Sequence, residues 1–399
     1  MLIGFAFKNF MSFYGENIFT VKSGADTKFR ELNTIKTEYG ELLKSALVFG
    51  ANGSGKSNFV KAVNCMKDVV LADLNSQSRM IFNIDNFAFS ESANNIPTFF
   101  EVEFIADGIV YDYGFEILNG EVIKEYLHKK TKRKTPVFTR SSPDFRDISL
   151  SADMDNVKEL TKNTRRDNLF LYWANGGNNE MAMTVYRWFE NIQILSESKD
   201  SMNATISYLK KETDSKNNIL TFMQKADINI DDLYIEFFND ALYLRSKHCV
   251  YDEKWKLSGD IAMPFASESA GTRKLFEIAG PIVKALENGN VVFVDEIDSR
   301  LHPMLVRFLV MMFNSISKNP KNAQLICNTH DVLLLDEDIR RDQIYFTEKD
   351  ECGVSKLYAL SDFKGVRKES KLLKQYLLGV FGATPKLKDY FPVKFGDRG

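Results

Sequence analysis

The sequence predicts an α/β fold with a mixed central sheet, and three stretches carry that reading. Ala46-Leu47-Val48-Phe49 is an apolar run of strand length leading through a glycine-rich turn into a helix, and Gly50 to Ser57 fit G-x-x-x-x-G-K-[ST]. Val291-Val292-Phe293-Val294 is a second such run, and it ends in the acids Asp295 and Glu296. Between them, residues 98–106, 108–117 and 121–127 are rich in β-branched and aromatic side chains, with Asn119-Gly120 as a two-residue hairpin turn. The first two stretches define a phosphate-binding sheet, and the third adds an antiparallel lobe.

The glycine spacing has a chemical reason. Gly53 and Gly55 permit backbone angles that a Cβ forbids, so successive N–H groups of Asn52, Gly53, Ser54 and Gly55 converge on phosphate oxygens. The helix that follows adds its positive end and its unpaired N–H groups. In this arrangement Lys56 reaches the β- and γ-phosphates of ATP, and the Ser57 hydroxyl holds Mg²⁺. Phe59, Val60, Val63, Met66, Val69 and Val70 recur at helical spacing, which extends this helix to about residue 74. Asp295 is the matching metal carboxylate, and Glu296 the group that polarises an attacking water.

Along the chain, residues 1–7 alternate as a strand, and the polar stretch 22–39 reads as a loop. The basic run 128–134 lacks interleaved aromatics and reads as a solvated loop. Residues 156–238 turn helical, with Met181, Val185, Trp188, Phe189 and Ile192 on one face. This stretch carries no cluster of titratable groups, so Trp173, Trp188 and Phe189 on its apolar faces are expected either to make protomer or partner contacts or to close a local core. Three segments result: a first lobe over 1–140, a mainly helical insertion over 141–255, and a second lobe over 256–399. The sequence separation of Lys56 and Asp295 exceeds what a compact phosphate-loop core needs, as expected for one core split by an insertion.

Residues 265–274 lead into a helix carrying Leu275, Ile278, Ile282, Val283 and Leu286 inward, with Ser269 or Thr272 as its cap, Pro281 inside it and Gly289 as terminator. Gln324-Leu325-Ile326-Cys327-Asn328-Thr329-His330 repeats the pattern of an apolar strand ending in polar groups, and places His330 where a γ-phosphate is sensed. Net charge is −2 with 27% charged residues, so nucleic-acid affinity is not indicated by charge. The four cysteines form no C-x-x-C pair, which leaves Cys65 and Cys327 as core thiols. The start of the chain lacks a signal-peptide pattern, and the most apolar helical stretch, 304–313, is too short to span a bilayer; a cytoplasmic location is expected.

These motifs together resemble the ATP-binding-cassette-type ATPases of the structural-maintenance, RecF and OLD kind. Within them the chain is similar to the AAA_15, RloA-like ATPases of bacterial restriction and anti-phage loci, to which AriA and PtuA are related. The resemblance rests on Phe5-x-x-Lys8-Asn9-Phe10-x-Ser12-Phe13, the loop 49–57, Glu268 to Leu275, Asp295 to Pro303, Asn328 to Asp331, and Ser361 to Lys368. It implies a P-loop NTPase of cassette or SMC-head type working as a homo-oligomer of at least two chains. ATP is then shared: Ser269 and Gly271 of one protomer touch the γ-phosphate held by the other, residues 299–302 cross the interface, and His330 is the switch histidine. Ala270 stands where a glycine is usual, and Asn86 is the nearest candidate for a glutamine-loop residue.

Three functions follow as alternatives. The first is an ATPase subunit of a defence system that controls a separately encoded, nuclease-like effector, since the stretch after Asp331 is too short for a Toprim nuclease domain. The second is a DNA-repair ATPase of SMC or RecF kind that clamps DNA directly; it needs a sustained coiled coil or a basic stripe, and neither is evident. The third is a small-molecule kinase, against which Glu296 argues because it is suited to activating water.

Overall fold

The computed structural model describes residues 1–72, 84–196, 199–210, 213–238, 241–366 and 371–385. At its centre lies a six-stranded sheet in the order Gln193–Leu195, Val291–Val294, Gln324–Asn328, Ser45–Gly50, Ile344–Lys349, Ser355–Ala359. The first five strands run parallel, and the last is antiparallel to its neighbour. The inner strands are apolar along nearly their whole length because both of their faces are covered. Successive side chains alternate between those faces. Ala46 and Val48 enter one core, with the helix Lys56–Leu71 and the antiparallel lobe; Leu47 and Phe49 enter another, under helices Ala270–Asn288 and Pro303–Asn314. Val291 and Phe293 are divided from Val292 and Val294 in the same way. One sheet therefore separates two cores and carries the ends of its strands to a common edge.

The antiparallel lobe has seven strands, in the order Ile148–Leu150, Lys134–Arg140, Glu121–Lys130, Ile109–Leu118, Thr98–Ala106, Leu2–Lys8, Asn17–Thr20. Asn119-Gly120 is a two-residue turn with φ of 52° and 77°, the two positive angles a twisted hairpin requires, and Asp107-Gly108 is another with 49° and 74°. Phe7 meets Phe13 edge-on at 4.8 Å, and Phe19 lies 5.0 Å from Phe59 on the phosphate-loop helix, so the lobe is bolted to that helix through aromatic packing.

Several expectations are corrected. The stretch 22–39 is not a plain loop: it holds the short helix Arg30–Asn33 and the strand Thr34–Thr37, which pairs with Gly40–Leu43. The phosphate-loop helix ends at Leu71. The basic run 128–134 is largely strand at the Glu121–Lys130 and Lys134–Arg140 turn, where Lys129 pairs with Asp153 and Lys134 with Asp112. Helices Phe170–Gly176, Glu180–Asn191, Lys199–Leu209 and Thr213–Lys225 occupy the insertion as expected. Its end is different, because Leu233, Ile235 and Phe237 alternate with Asp232, Tyr234 and Glu236 at the period of a strand. Asp232–Phe238, Ala241–Tyr251 and Leu257–Pro264 form a three-stranded antiparallel sheet, and Gln193–Leu195 joins the central sheet.

Two of the insertion's aromatics, Trp188 and Phe189, do not face outward either. Trp188 stacks on Phe104 at 4.0 Å, and Phe189 packs edge-on against Tyr113 at 6.0 Å. They close a local core, which removes the reason for assigning them to a partner.

A buried ion pair ties the chain's start to the far side of the sheet. Arg340, fully buried, donates from Nε to Asp342 at 2.9 Å, from Nη1 to the Lys28 carbonyl at 3.0 Å and from Nη2 to Ser23 Oγ at 3.0 Å. Arg340→Met is expected to cost about 3–5 kcal/mol in urea unfolding, because it removes the charge paired with the buried Asp342, which keeps only the Gly24 amide among the described residues, and takes a donor from the Lys28 carbonyl. A midpoint unchanged from wild type would show that this network carries no stability.

Candidate nucleotide site

The phosphate loop leaves the central sheet at Gly50 and re-enters helix at Lys56. Gly53 and Gly55 take φ of 72° and 113°. A Cβ on Gly55 would lie 2.7 Å from Ser355 Oγ and 3.1 Å from Phe13, so that glycine is demanded by space as well as by angle. On Gly50 a Cβ would stand 2.5 Å from the Thr347 carbonyl. The cradle is thus closed from behind by the strand Ile344–Lys349. Ser54 serves this closure, because its hydroxyl bonds Thr347 Oγ1 at 2.6 Å.

The opening motif proves to be architectural. Ser12 Oγ accepts from Ser355 Oγ and from Asn58 Nδ2, each at 2.8 Å, which fixes the first turn of the phosphate-loop helix. Asn9 donates to the carbonyls of Ala93 and Ile96, at 2.8 and 2.7 Å.

A cleft of about 650 Å³ opens over the loop, lined by Asn52, Gly53, Gly55, Lys56, Ser57, Asn58, Glu296, His330 and Lys349. Residues distant in sequence therefore meet at one sheet edge. Lys56 is buried, and its ammonium donates to the carbonyls of Gly50 at 2.8 Å and Ala51 at 3.1 Å. Burial lowers its pKa, while the charges of Glu296, Asp298 and Asp295 act in the opposite sense.

One amide organises the acids. Asn328, at the end of the strand beside Val291–Val294, donates from Nδ2 to Asp295 Oδ1 and accepts at Oδ1 from the Glu296 amide. Glu296 sits at φ 50°, an uncommon angle for a residue with a Cβ, and this bond holds it there. Asp298 accepts the His330 amide at 3.1 Å on both oxygens, which sets the loop that presents the histidine. Burial raises the pKa of the neighbouring Asp331, and the charge of Asp298 adds to that rise. Asn328→Ala is expected to lower turnover about 10–100-fold with little change in ATP affinity, the usual cost of losing a group that orients catalytic ligands. Equal activity in steady-state assays would show that Asp295 and Glu296 keep their places unaided.

The residues present fit ATP and Mg²⁺. Gly53 and Gly55 at positive φ, Gly50 and Gly55 with no room for a Cβ, and a buried lysine suit the phosphates; the Ser57 hydroxyl and the Asp295 carboxylate suit the metal. Bound there, the metal would neutralise charge on the phosphate oxygens, leaving Lys56 to orient the terminal phosphate and Glu296 to accept a proton from water.

Ser269 caps the helix Ala270–Asn288, its Oγ accepting from the Thr272 amide at 3.1 Å. A Cβ on Gly271 would stand 3.0 Å from the Arg300 carbonyl, so this helix start packs closely on the loop after the acids. Neither Ser269 nor Gly271 lines the cleft. Asn86 does not line it either, and its side-chain Oδ1 accepts from Thr98 Oγ1 at 2.7 Å, which gives that residue a structural role. Residues 367–368 of the last matching motif lie outside the described residues. Sequence reasoning assigns no role to three groups found here: Lys349 at the cleft wall, the bridging action of Asn328, and Asp298 under the His330 loop. Only the strand-end position of Asn328 and the polar residues after Glu296 were available as signals.

Fold and site define a P-loop ATPase head, with a mixed central sheet, an antiparallel lobe and an inserted segment. The family model described as "AAA domain, putative AbiEii toxin, Type IV TA system" matches residues 45–336, and the chain belongs to that family. The finer AAA_15, RloA-like placement is not what this match gives. No curated protein matches the chain. Among solved structures, the SMC head domain from Thermotoga maritima is similar with TM-score 0.41 and 14% identity, covering 90% of this chain and 98% of that one. An SMC head bound to the C-terminal winged-helix domain of ScpA is similar with TM-score 0.43 and 14% identity, over 90% and 97% of the two chains. Among the described residues, no helix is long and apolar enough to cross a membrane.

Proposed function

We propose that this chain is the ATP-binding and ATP-hydrolysing subunit of a bacterial anti-phage or restriction-associated defence system, working in the cytoplasm. Two or more protomers enclose ATP at composite sites, and that state holds or releases a separately encoded, nuclease-like effector. The observation that carries the reading is the division of the motifs. Lys56, Ser57, Glu296 and His330 share one cleft, whereas Ser269 and Gly271 stand outside it at an open helix start. A helix start of that kind attracts anions, so a second protomer's phosphate is its natural complement. The family's description, which names a toxin of a type IV TA system, supports a place among bacterial conflict systems. Direct clamping of DNA is the weaker reading, since Lys129 and Lys134 of the basic run are engaged with Asp153 and Asp112.

Lys56→Ala is expected to weaken ATP binding about 10–100-fold, the worth of a lost charge-assisted hydrogen bond. The same change in cells carrying the whole locus is expected to abolish phage protection in plaque assays. Wild-type ATP affinity in the variant would remove the nucleotide assignment. No phage protection from the wild-type locus would remove the defence reading, and full protection by the variant would remove ATP from it.

A further inference from the structure

We infer that the three-stranded sheet Asp232–Phe238, Ala241–Tyr251 and Leu257–Pro264 is a docking surface for a second copy of this chain, continuous with the cap of helix Ala270–Asn288. The inference deepens the composite-site reading above and rests on it.

Every residue from 250 to 264 is exposed. Large apolar side chains are concentrated there: Tyr251 is 49% exposed, Trp255 84%, Leu257 66% and Ile261 50%. They are gathered rather than scattered, because Tyr251 pairs with Leu257 across the strands and its ring lies 6.5 Å from that of Trp255. A patch of this kind on a protein with two well-filled cores marks an interaction site.

The backbone points the same way. Among the described residues, Leu257–Pro264 has a strand on one side only, so its other edge offers a row of unsatisfied N–H and C=O groups. An antiparallel edge is complementary to its own copy under a two-fold axis, each donor meeting an acceptor. Charge does not oppose the pairing. Asp252, Glu253 and Asp260 are balanced by Lys247, Lys254 and Lys256, and Lys247 already pairs with Asp260 at 2.5 Å.

Continuity with the nucleotide-facing helix selects a second copy over another protein. The exposed surface runs on through Ala266, Ser267, Ser269 and Ala270. Glu268, immediately before the cap, accepts from Ser246 Oγ and lies 2.7 Å from His248 Nε2, both on the middle strand of the sheet. Sheet and helix cap therefore form one unit. If Ser269 meets the other protomer's phosphate, the sheet latched beside it lies at the same junction.

Trp255 supplies the test. Trp173 and Trp188 pack against the core, so acrylamide quenching compared between the full chain and its Trp255→Phe variant isolates Trp255. In the Glu296→Gln background, which retains ATP, sizing should show an ATP-dependent dimer in which Trp255 loses most of its quenching. The double variant Tyr251→Ser, Leu257→Ser should dimerise about tenfold or more weakly with unchanged ATP affinity, the scale of losing an aromatic anchor. A dimer in which Trp255 stays as quenchable as in the monomer, or one that the double variant forms as tightly, overturns the inference and leaves the composite site standing. Absence of any ATP-dependent dimer overturns both.

Discussion

Glu296→Gln is expected to lower Mg²⁺-dependent phosphate release about 10²–10⁴-fold while ATP binding persists, the contribution of a positioned general base. Binding rests on the glycine loop and on Lys56, which the substitution does not touch. The backbone at Glu296, held at φ 50° by the Asn328 amide, keeps its place because Gln preserves the length of the side chain and the same main-chain bond. What is lost is the basic oxygen beside Lys56 in the cleft. Phosphate release with ATP, alongside equilibrium binding of a fluorescent ATP analogue, measures the two effects separately. Undiminished release would move the base elsewhere in the cleft, and His330 is the other titratable group lining it without an ammonium. Glu296→Ala gives a second reading: similar loss there and in the Gln variant assigns the effect to the carboxylate rather than to packing.

The phosphate loop and the acid pair were legible because their chemistry is local in sequence. Gly50 and Gly55 fall where Thr347, Ser355 and Phe13 leave no room for a Cβ, and four apolar residues before Asp295 fill two cores at once. What was not legible was set by contacts between distant segments. Gln193–Leu195 is too short to show a period, and it becomes a strand only because Val291–Val294 presents an edge. The sheet over 232–264 was read partly as helix, since Leu233, Ile235 and Phe237 follow directly on a helical pattern and its last strand carries no buried face. Asn328 looked like one polar residue at a strand end. Its role depends on the register that places it beside Asp295 and Glu296, and no single stretch contains that register. Trp188 misled for the converse reason: the apolar face of its helix was correctly found, but the Phe104 that covers it lies on a strand of the first lobe.

Ser269→Arg is expected to abolish ATP-driven association and hydrolysis while ATP binding by each chain stays intact. The cap serine holds the Thr272 amide, and its helix start is exposed rather than turned into its own chain's cleft. Helix-end amides and dipole favour an anion by about 0.3–1 kcal/mol at an exposed surface and up to about 2 kcal/mol where partly buried. In the proposed composite site only the third phosphate of ATP would reach the second chain, so ADP should support association poorly. An arginine at the cap removes the serine acceptor and fills the approach with a bulky side chain, but leaves the loop from Gly50 to Ser57 untouched. Mixing Ser269→Arg with Lys56→Ala chains discriminates further. Each mixed dimer pairs an intact Lys56 from one chain with an intact Ser269 from the other at one site, and two defects at the second. Phosphate release should return to at most about half of wild type per mixed dimer, whereas neither variant alone releases phosphate, as expected when groups of one site act as a unit. Sizing with ATP and with ADP, run beside the release assay, separates association from chemistry. A Ser269→Arg chain that hydrolyses ATP at the wild-type rate as an isolated monomer would place the whole site within one protomer.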